Sequence, residues 1–223
     1  MKIPLTILAI VILILAAFQL FAPPPDPDTL KPRTDLPWQI TVNPDGSSRV
    51  FDLELGHATL ADAIAKFGTP EGIAVFEPKT GRLALEVYFG NVQFGPLKAK
   101  VLVALEAGES ELLALKQTAA ERQGSPSGDW KYPLRDGVEA HGGRKLSVIT
   151  YIPGTRNLDA DFLRERFGAP AATLQESEWA QSWFYPEKGL SVLIDEEARE
   201  VLEYQPPRLF VMPDGVTPYR ADD

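Results

Sequence analysis

Residues 67–106, FGTPEGIAVFEPKTGRLALEVYFGNVQFGPLKAKVLVALE, contain three segments in which apolar and polar residues alternate. These segments are 73–77, 83–89 and 97–106. In the second segment Leu83, Leu85 and Val87 fall on one face, because successive side chains of a strand point to opposite faces of a sheet. The sequence therefore predicts an antiparallel meander with one apolar face.

A short helix is predicted directly before this meander, and a β-hairpin before the helix. Thr59 and Asp62 have the spacing of a capping box, and Gly68 is typical of a helix end. The turn NPDG at 43–46 joins two strand-like segments. A second helix is predicted after the meander, over residues 109–123.

The same order of parts returns later in the chain. FGAP at 167–170 repeats FGTP at 67–70, and each tetrapeptide ends a predicted helix. Further strands are predicted at 144–152, 172–176, 180–195 (with a turn near residues 187–188) and 198–205. We therefore expect an α+β fold with an internal duplication, in which an N-terminal transmembrane helix precedes two similar helix-plus-antiparallel-meander halves.

Residues 3–22, IPLTILAIVILILAAFQLFA, form an apolar run without a charge, and a helix of that length covers about 30 Å, one bilayer core. The run predicts either a retained anchor or a cleaved signal peptide. Pro23 follows the best cleavage site, which favours retention. With Lys2 as the flanking charge, we expect a single-pass protein of the bacterial inner membrane, its N-terminus cytoplasmic and its domain periplasmic.

The predicted organisation has six parts. They are a transmembrane anchor at 1–22, a proline-rich stalk at 23–37, a first α+β half at 38–123, a linker at 124–143, a second α+β half at 144–208 and a tail at 209–223. Within the tail, residues 209–212 are typical of either a short edge strand or a docking peptide.

Composition excludes several kinds of chemistry. The net charge is −9, so nucleic acid is a poor partner. The absence of cysteine excludes disulfides and thiol catalysis. His57 and His141 lie in separate predicted loops without a metal-binding motif, so we expect no metal and no cofactor. Among enzymes, the 31 acidic residues leave open a carboxylate-based hydrolase acting on cell-wall or glycan substrate.

Aromatic residues are the other candidates for a functional role. Trp179, Trp183 and Tyr185 crowd one predicted strand, on which Trp183 and Tyr185 share a face and Phe184 takes the other. Trp and Tyr anchors are frequent in protein interfaces, which makes these three residues candidates for protein binding. The alternative is that they pack in the core, as large aromatic side chains commonly do.

A family resemblance is carried by the second predicted half. The helix ending in FGAP, the strand containing WFYP at 183–186, then GLSVLID and EAREVLEYQ resemble the SmpA/OmlA (BamE-like) outer-membrane assembly lipoproteins. Tandem copies of this unit resemble the β-lactamase inhibitor protein, and the whole chain resembles membrane-anchored proteobacterial proteins of this size. The resemblance implies a compact α+β unit used for protein contact, without catalytic residues. The chain departs from the lipoproteins because it has no lipidated cysteine.

These observations predict a membrane-anchored periplasmic protein-interaction module, in envelope assembly or in support of a membrane complex. Its expected partner is a membrane or periplasmic protein. The alternative is an anchored carboxylate-based hydrolase, and a third reading, suggested by the tandem resemblance, is an inhibitor of a periplasmic enzyme.

Overall fold

A computed structural model describes residues 33–79, 81–124, 128–155 and 158–220. The chain divides into Met1–Arg33 and the compact unit Thr34–Asp223. The strands of the compact unit are β1 (Thr41–Val42), β2 (Ser48–Val50), β3 (Leu53–Leu55), β4 (Gly72–Glu77), β5 (Ala84–Phe94), β6 (Leu97–Leu105), β7 (Gln123–Gly124), β8 (Trp130–Pro133), β9 (Leu146–Pro153), β10 (Ala172–Gln175), β11 (Ala180–Tyr185), β12 (Leu190–Asp195), β13 (Val201–Tyr204) and β14 (Thr217–Pro218). The helices are α1 (Leu60–Phe67), α2 (Glu109–Thr118) and α3 (Ala160–Phe167), with 3-10 turns at Val138–His141, Pro186–Lys188 and Pro207–Leu209.

Most of these strands belong to one large antiparallel sheet. Its eleven strands lie in the order β14-β10-β11-β12-β13-β9-β6-β5-β4-β8-β7, and a separate three-stranded sheet has the order β1-β2-β3. The predicted hairpin before α1 is part of the small sheet, with its first turn at residues 43–47. In the described ranges the fold is therefore rich in β-structure, with three short α-helices.

This architecture contradicts the predicted α+β fold with two similar halves. β9, from the predicted second half, pairs with β13 on one side and with β6, from the first half, on the other. An isolated meander would leave the edge of β6 with unpaired N–H and C=O groups, and pairing with β9 satisfies them. The second predicted helix is also too long, because α2 ends at Thr118 and residues 123–124 form β7.

The repeated FGxP sequence marks two helix ends of the same geometry. Gly68 after α1 and Gly168 after α3 have φ angles of 92° and 82°, a region that glycine adopts without steric cost. Each glycine N–H donates to the carbonyl four residues earlier, that of Ile64 or Arg164. The local likeness is thus present, but it lies within a single continuous sheet.

No helix within the described ranges is long and apolar enough to cross a membrane. This finding contradicts the predicted single-pass transmembrane protein of the inner membrane, and with it the predicted periplasmic placement of the domain. Residues 3–22, from which that prediction was made, lie outside the described residues.

One face of the large sheet, named the buried face, packs against the helices. Phe67 of α1 contacts the rings of Phe89 and Phe94, and Phe167 of α3 contacts Tyr185. The alternating residues of the central strands on this face are almost completely shielded from water; they include Leu85, Val87, Val101, Val103, Ile149, Tyr151, Leu202 and Tyr204. Removal of this apolar surface from water is the main force that stabilises the fold.

Phe51 lies at the centre of the buried aromatic cluster. Its ring centroid is 5.1 Å from that of Phe94, 5.6 Å from Tyr151 and 5.3 Å from Tyr204. Phe51 and Asp52 form the two-residue turn between β2 and β3, with φ angles of 54° and 62°. Such turns normally contain Asn or Gly, so burial of the phenyl ring compensates for the strained backbone.

Candidate functional site

The second face of the large sheet, named the open face, carries the side chains that alternate with those of the buried face. One row of directly paired residues crosses it from β11 to β5: Phe184, Ser191, Glu203, Thr150, Leu102 and Tyr88. Leu102, Thr150 and Tyr88 are half-buried. The three described α-helices pack on the opposite side, so these three side chains are only partly shielded from water.

Two hollows lie on the open face. The Glu86 hollow, with a volume of about 520 Å³, lies over β4, β5 and β8 and includes Phe76, Tyr88 and Lys131 in its lining. The Glu203 hollow, about 580 Å³, lies over β10 to β13 and includes Phe184 and Glu203. Each hollow thus combines apolar walls with two acidic side chains, Glu71 and Glu86 in the first hollow and Glu176 and Glu203 in the second.

The pKa values of both carboxyl groups, those of Glu86 and Glu203, are raised. Burial raises the pKa of the Glu86 carboxyl to about 7, and the negative charge of Glu203 adds to this shift. Burial also raises the pKa of Glu203, although water still reaches its side chain. Within the described ranges neither side chain has a hydrogen-bond or ion-pair partner. A carboxylate in such a place is stabilised by any cation that approaches it.

The C-terminal tail covers one end of the open face. Phe210 packs edge-on against Phe184, with ring centroids 6.5 Å apart, and Pro213 borders the Glu203 hollow. Of the two alternatives for 209–212, the edge strand does not form there, since the strand that extends the sheet is Thr217–Pro218. The tail therefore shields Phe184 but leaves the centre of the open face uncovered.

The aromatic residues predicted to bind protein do not form one exposed surface. Trp183 and Tyr185 are 3% and 4% exposed and lie on the buried face, whereas Trp179 is 46% exposed. Trp183 Nε1 donates to Gln181 Oε1 at 2.6 Å, and the Tyr185 hydroxyl donates to the Gly168 carbonyl at 3.2 Å. Core packing accounts for Trp183 and Tyr185, and the protein-binding role of the three residues stays a prediction.

A second polar cluster joins Asp45, Glu54 and His57. One ligand atom from each lies within 4.8 Å of the others, a donor set suited to a metal ion. His57 Nε2 is 2.9 Å from Asp45 Oδ2, and this contact together with hydrogen bonds from Ser47 holds the pKa of Asp45 well below its usual range.

The cluster already contains its own counter-charges. The guanidinium of Arg208 lies 3.9 Å from Asp45, and that of Arg49 lies 3.8 Å from Glu54. Asn43 donates a further hydrogen bond to Glu54 at 3.1 Å. We therefore assign these side chains to a hydrogen-bonded network that fixes the β1–β2 turn. His141, the other histidine, is buried and bonded through Nδ1 to Arg144.

Sequence reasoning missed the open face, although a signal was present. The positions expected to be polar in β6 are occupied partly by Leu102 and Ala104, and those in β5 include Tyr88 beside Glu86. Strands that are apolar on both faces normally lie between two layers. Here only one layer is found in the described ranges, which leaves the second apolar face free.

Comparison with known protein families, curated proteins and solved structures finds no match to this chain. The resemblance to the SmpA/OmlA (BamE-like) lipoproteins and to the β-lactamase inhibitor protein therefore stays a prediction.

Proposed function

We propose that this protein is a protein-interaction module that binds its partner through the open face. The observation that carries this proposal is a sheet surface of half-buried apolar side chains with two carboxylates, Glu86 and Glu203, that have no partner within the described ranges. Contiguous exposed apolar surface is costly in water and commonly marks a binding surface. A partner that covers it removes that cost.

The chemistry of the face defines the kind of partner. Its centre, around Leu102, Thr150 and Tyr88, is suited to an apolar protein surface. The carboxylates and the net charge of −9 favour basic side chains around that surface. We therefore commit to a partner protein whose apolar contact area is accompanied by lysine or arginine.

Site-specific photocross-linking tests the proposal. A photoreactive amino acid replaces Thr150 in the full-length chain, expressed in the cells that naturally produce it. The matched control replaces Glu165, an exposed residue of α3 on the other side of the sheet. We expect one discrete cross-linked partner from position 150 and none from position 165, with the product lost when Leu102→Arg is added.

Three results would contradict the proposal. They are equal cross-linking from both positions, no product from position 150, and a product that persists in the Leu102→Arg variant. A product that consists of two copies of this chain would instead identify the face as a homodimer interface. Mass spectrometry of the cross-linked peptide distinguishes these outcomes.

One observation favours a second candidate, a carboxylate-based hydrolase acting on glycan or cell-wall substrate. Glu86 holds its proton up to near-neutral pH, as a general acid must, and Glu203 lies on the same face. Incubation of the protein with glycan and cell-wall fragments tests this candidate. Hydrolysis that disappears in Glu86→Gln would support it, whereas the absence of product from the wild-type protein would exclude it for those substrates.

A further inference from the structure

We propose that the Glu203 hollow receives the side chain of a lysine or arginine from the partner protein. This inference rests on the proposed function, since it names a recognition element within the open face. Its basis is the combination of apolar walls and carboxylates in one hollow. The lining consists of Leu174, Glu176, Ala180, Ser182, Phe184, Ser191, Leu193, Val201, Glu203 and Pro213.

The charges of this hollow have a single sign. Among the described residues, the ionisable side chains that line it are those of Glu176 and Glu203, and both are acidic. Glu176 accepts a hydrogen bond from the Ser182 hydroxyl at 2.7 Å, which fixes the orientation of its carboxylate. The Glu86 hollow differs, because Lys131 is part of its lining. A cation is therefore attracted more strongly to the Glu203 hollow.

The lining of the hollow suits a long basic side chain. Leu193 and Val201 offer apolar surface for the methylene groups, and the carboxylate of Glu203 is available to the charged end. Lysine and arginine carry both features on one side chain. Charge-assisted hydrogen bonds to a carboxylate are stronger than hydrogen bonds between neutral groups.

Small probes test the inference without knowledge of the partner. The full-length chain, labelled with ¹⁵N, is titrated with N-acetyl-arginine amide and followed by NMR amide shifts. N-acetyl-citrulline amide is the control probe, because it has the same length and no charge. We expect saturable shifts at residues lining the Glu203 hollow, and binding of the citrulline probe that is weaker by about fivefold or more.

Two matched variants locate the binding. Glu203→Gln keeps the side-chain volume, and we expect it to weaken arginine binding by about fivefold or more. Glu86→Gln makes the same substitution in the other hollow, and we expect it to weaken binding by less than about twofold. Unshifted amide resonances outside the hollow show that both variants fold as the wild type does.

The inference is overturned if citrulline binds as well as arginine, if Glu203→Gln has no effect, or if shifts spread evenly over acidic surfaces. The cross-linking experiment separates this failure from that of the proposed function. If the cross-linked product is unchanged in Glu203→Gln, the open face still binds a partner protein, but the partner does not place a basic side chain in the Glu203 hollow. If arginine binds the hollow but no partner is cross-linked, the hollow recognises a basic side chain and the proposed protein-interaction module is contradicted.

Discussion

The buried and open faces of the large sheet are made by alternate residues of the same strands, yet neighbouring residues on the two faces differ in their exposure to water. Tyr151 is 2% exposed and lies in the aromatic cluster, whereas its neighbour Thr150 is half-buried on the open face. Tyr204 is 1% exposed, whereas Glu203 is reached by water. One set of strands thus provides both the core and the proposed binding surface.

This difference assigns stability mainly to the buried face and the proposed binding to the open face. Side chains of the buried face contact many neighbours, so their truncation leaves a cavity. Side chains at the centre of the open face, such as Leu102 and Thr150, are only half-buried, so their replacement should change the fold less. Substitutions on the open face should therefore affect binding with little loss of stability.

The largest effect is expected for Phe51→Ala. The substitution removes the ring that contacts Phe94, Tyr151 and Tyr204, and we expect the free energy of unfolding to fall by about 3–5 kcal/mol. Denaturant unfolding followed by circular dichroism measures the change. Thr150→Ala is the control from the open face, with an expected loss below about 1 kcal/mol. Equal losses in the two variants would remove the distinction between the faces.

The next effect concerns the pH dependence of stability. The folded-state pKa of Glu86, about 7, lies above its ordinary value of 4.5, so the native state retains a proton that the unfolded chain releases. The free energy of unfolding therefore falls as pH rises from about 4.5 through 7. Allowing for residual hydration, Glu86→Gln should be more stable than wild type by about 2 kcal/mol at pH 8.

Unfolding measurements of wild type and Glu86→Gln at pH 5 and pH 8 check this expectation. The advantage of the variant should be small at pH 5, where the wild-type carboxyl is largely protonated in the folded state. Glu203 contributes pH dependence of the same sign to both proteins, so the difference between them reports Glu86 together with its electrostatic coupling to Glu203. An advantage that does not change with pH would show that ionisation is not its cause.

A smaller effect is expected where the tail covers the open face. Phe210→Ala removes the ring that packs on Phe184, and we expect a loss of about 1–2 kcal/mol, because Phe210 is only half-buried. Differential scanning calorimetry measures the change in thermal stability. Val211→Ala, at an 80% exposed position next in the chain, is the control and should leave stability nearly unchanged. Similar losses from both variants would show that the tail does not pack specifically on the sheet.

Local structure could be predicted from the sequence more fully than the arrangement of strands. The capping box of Thr59 and Asp62 forms as the spacing indicates, and Gly68 ends α1. The alternation of apolar and polar residues predicts β5 and β6, because it depends only on residues that are neighbours in the sequence. The pairing of β6 with β9 is not encoded in that way, since it depends on which strand edges meet in space. For that reason the predicted halves are wrong although several of their elements exist.

The candidate site was harder to predict for a related reason. Trp183 and Tyr185 were predicted to bind protein because of their residue type, but β11 places both side chains on the buried face. The open face is defined by residues from many strands, among them Glu86 and Glu203, whose separation in sequence hides their common surface. The contacts of Asp45 with His57 likewise depend on how the β1–β2 turn packs. A single sequence contains no direct record of such long-range contacts.

The smallest effect on stability, and the most informative for function, is expected from Leu102→Thr at the centre of the open face. Threonine suits a β-strand and Leu102 is only half-buried, so we expect a loss below about 1 kcal/mol in denaturant unfolding. The same change places a hydroxyl in the proposed contact area, so cross-linking from position 150 should fall strongly. A variant that keeps its cross-linked partner while losing several kcal/mol would assign Leu102 to the core and contradict the division of roles between the two faces.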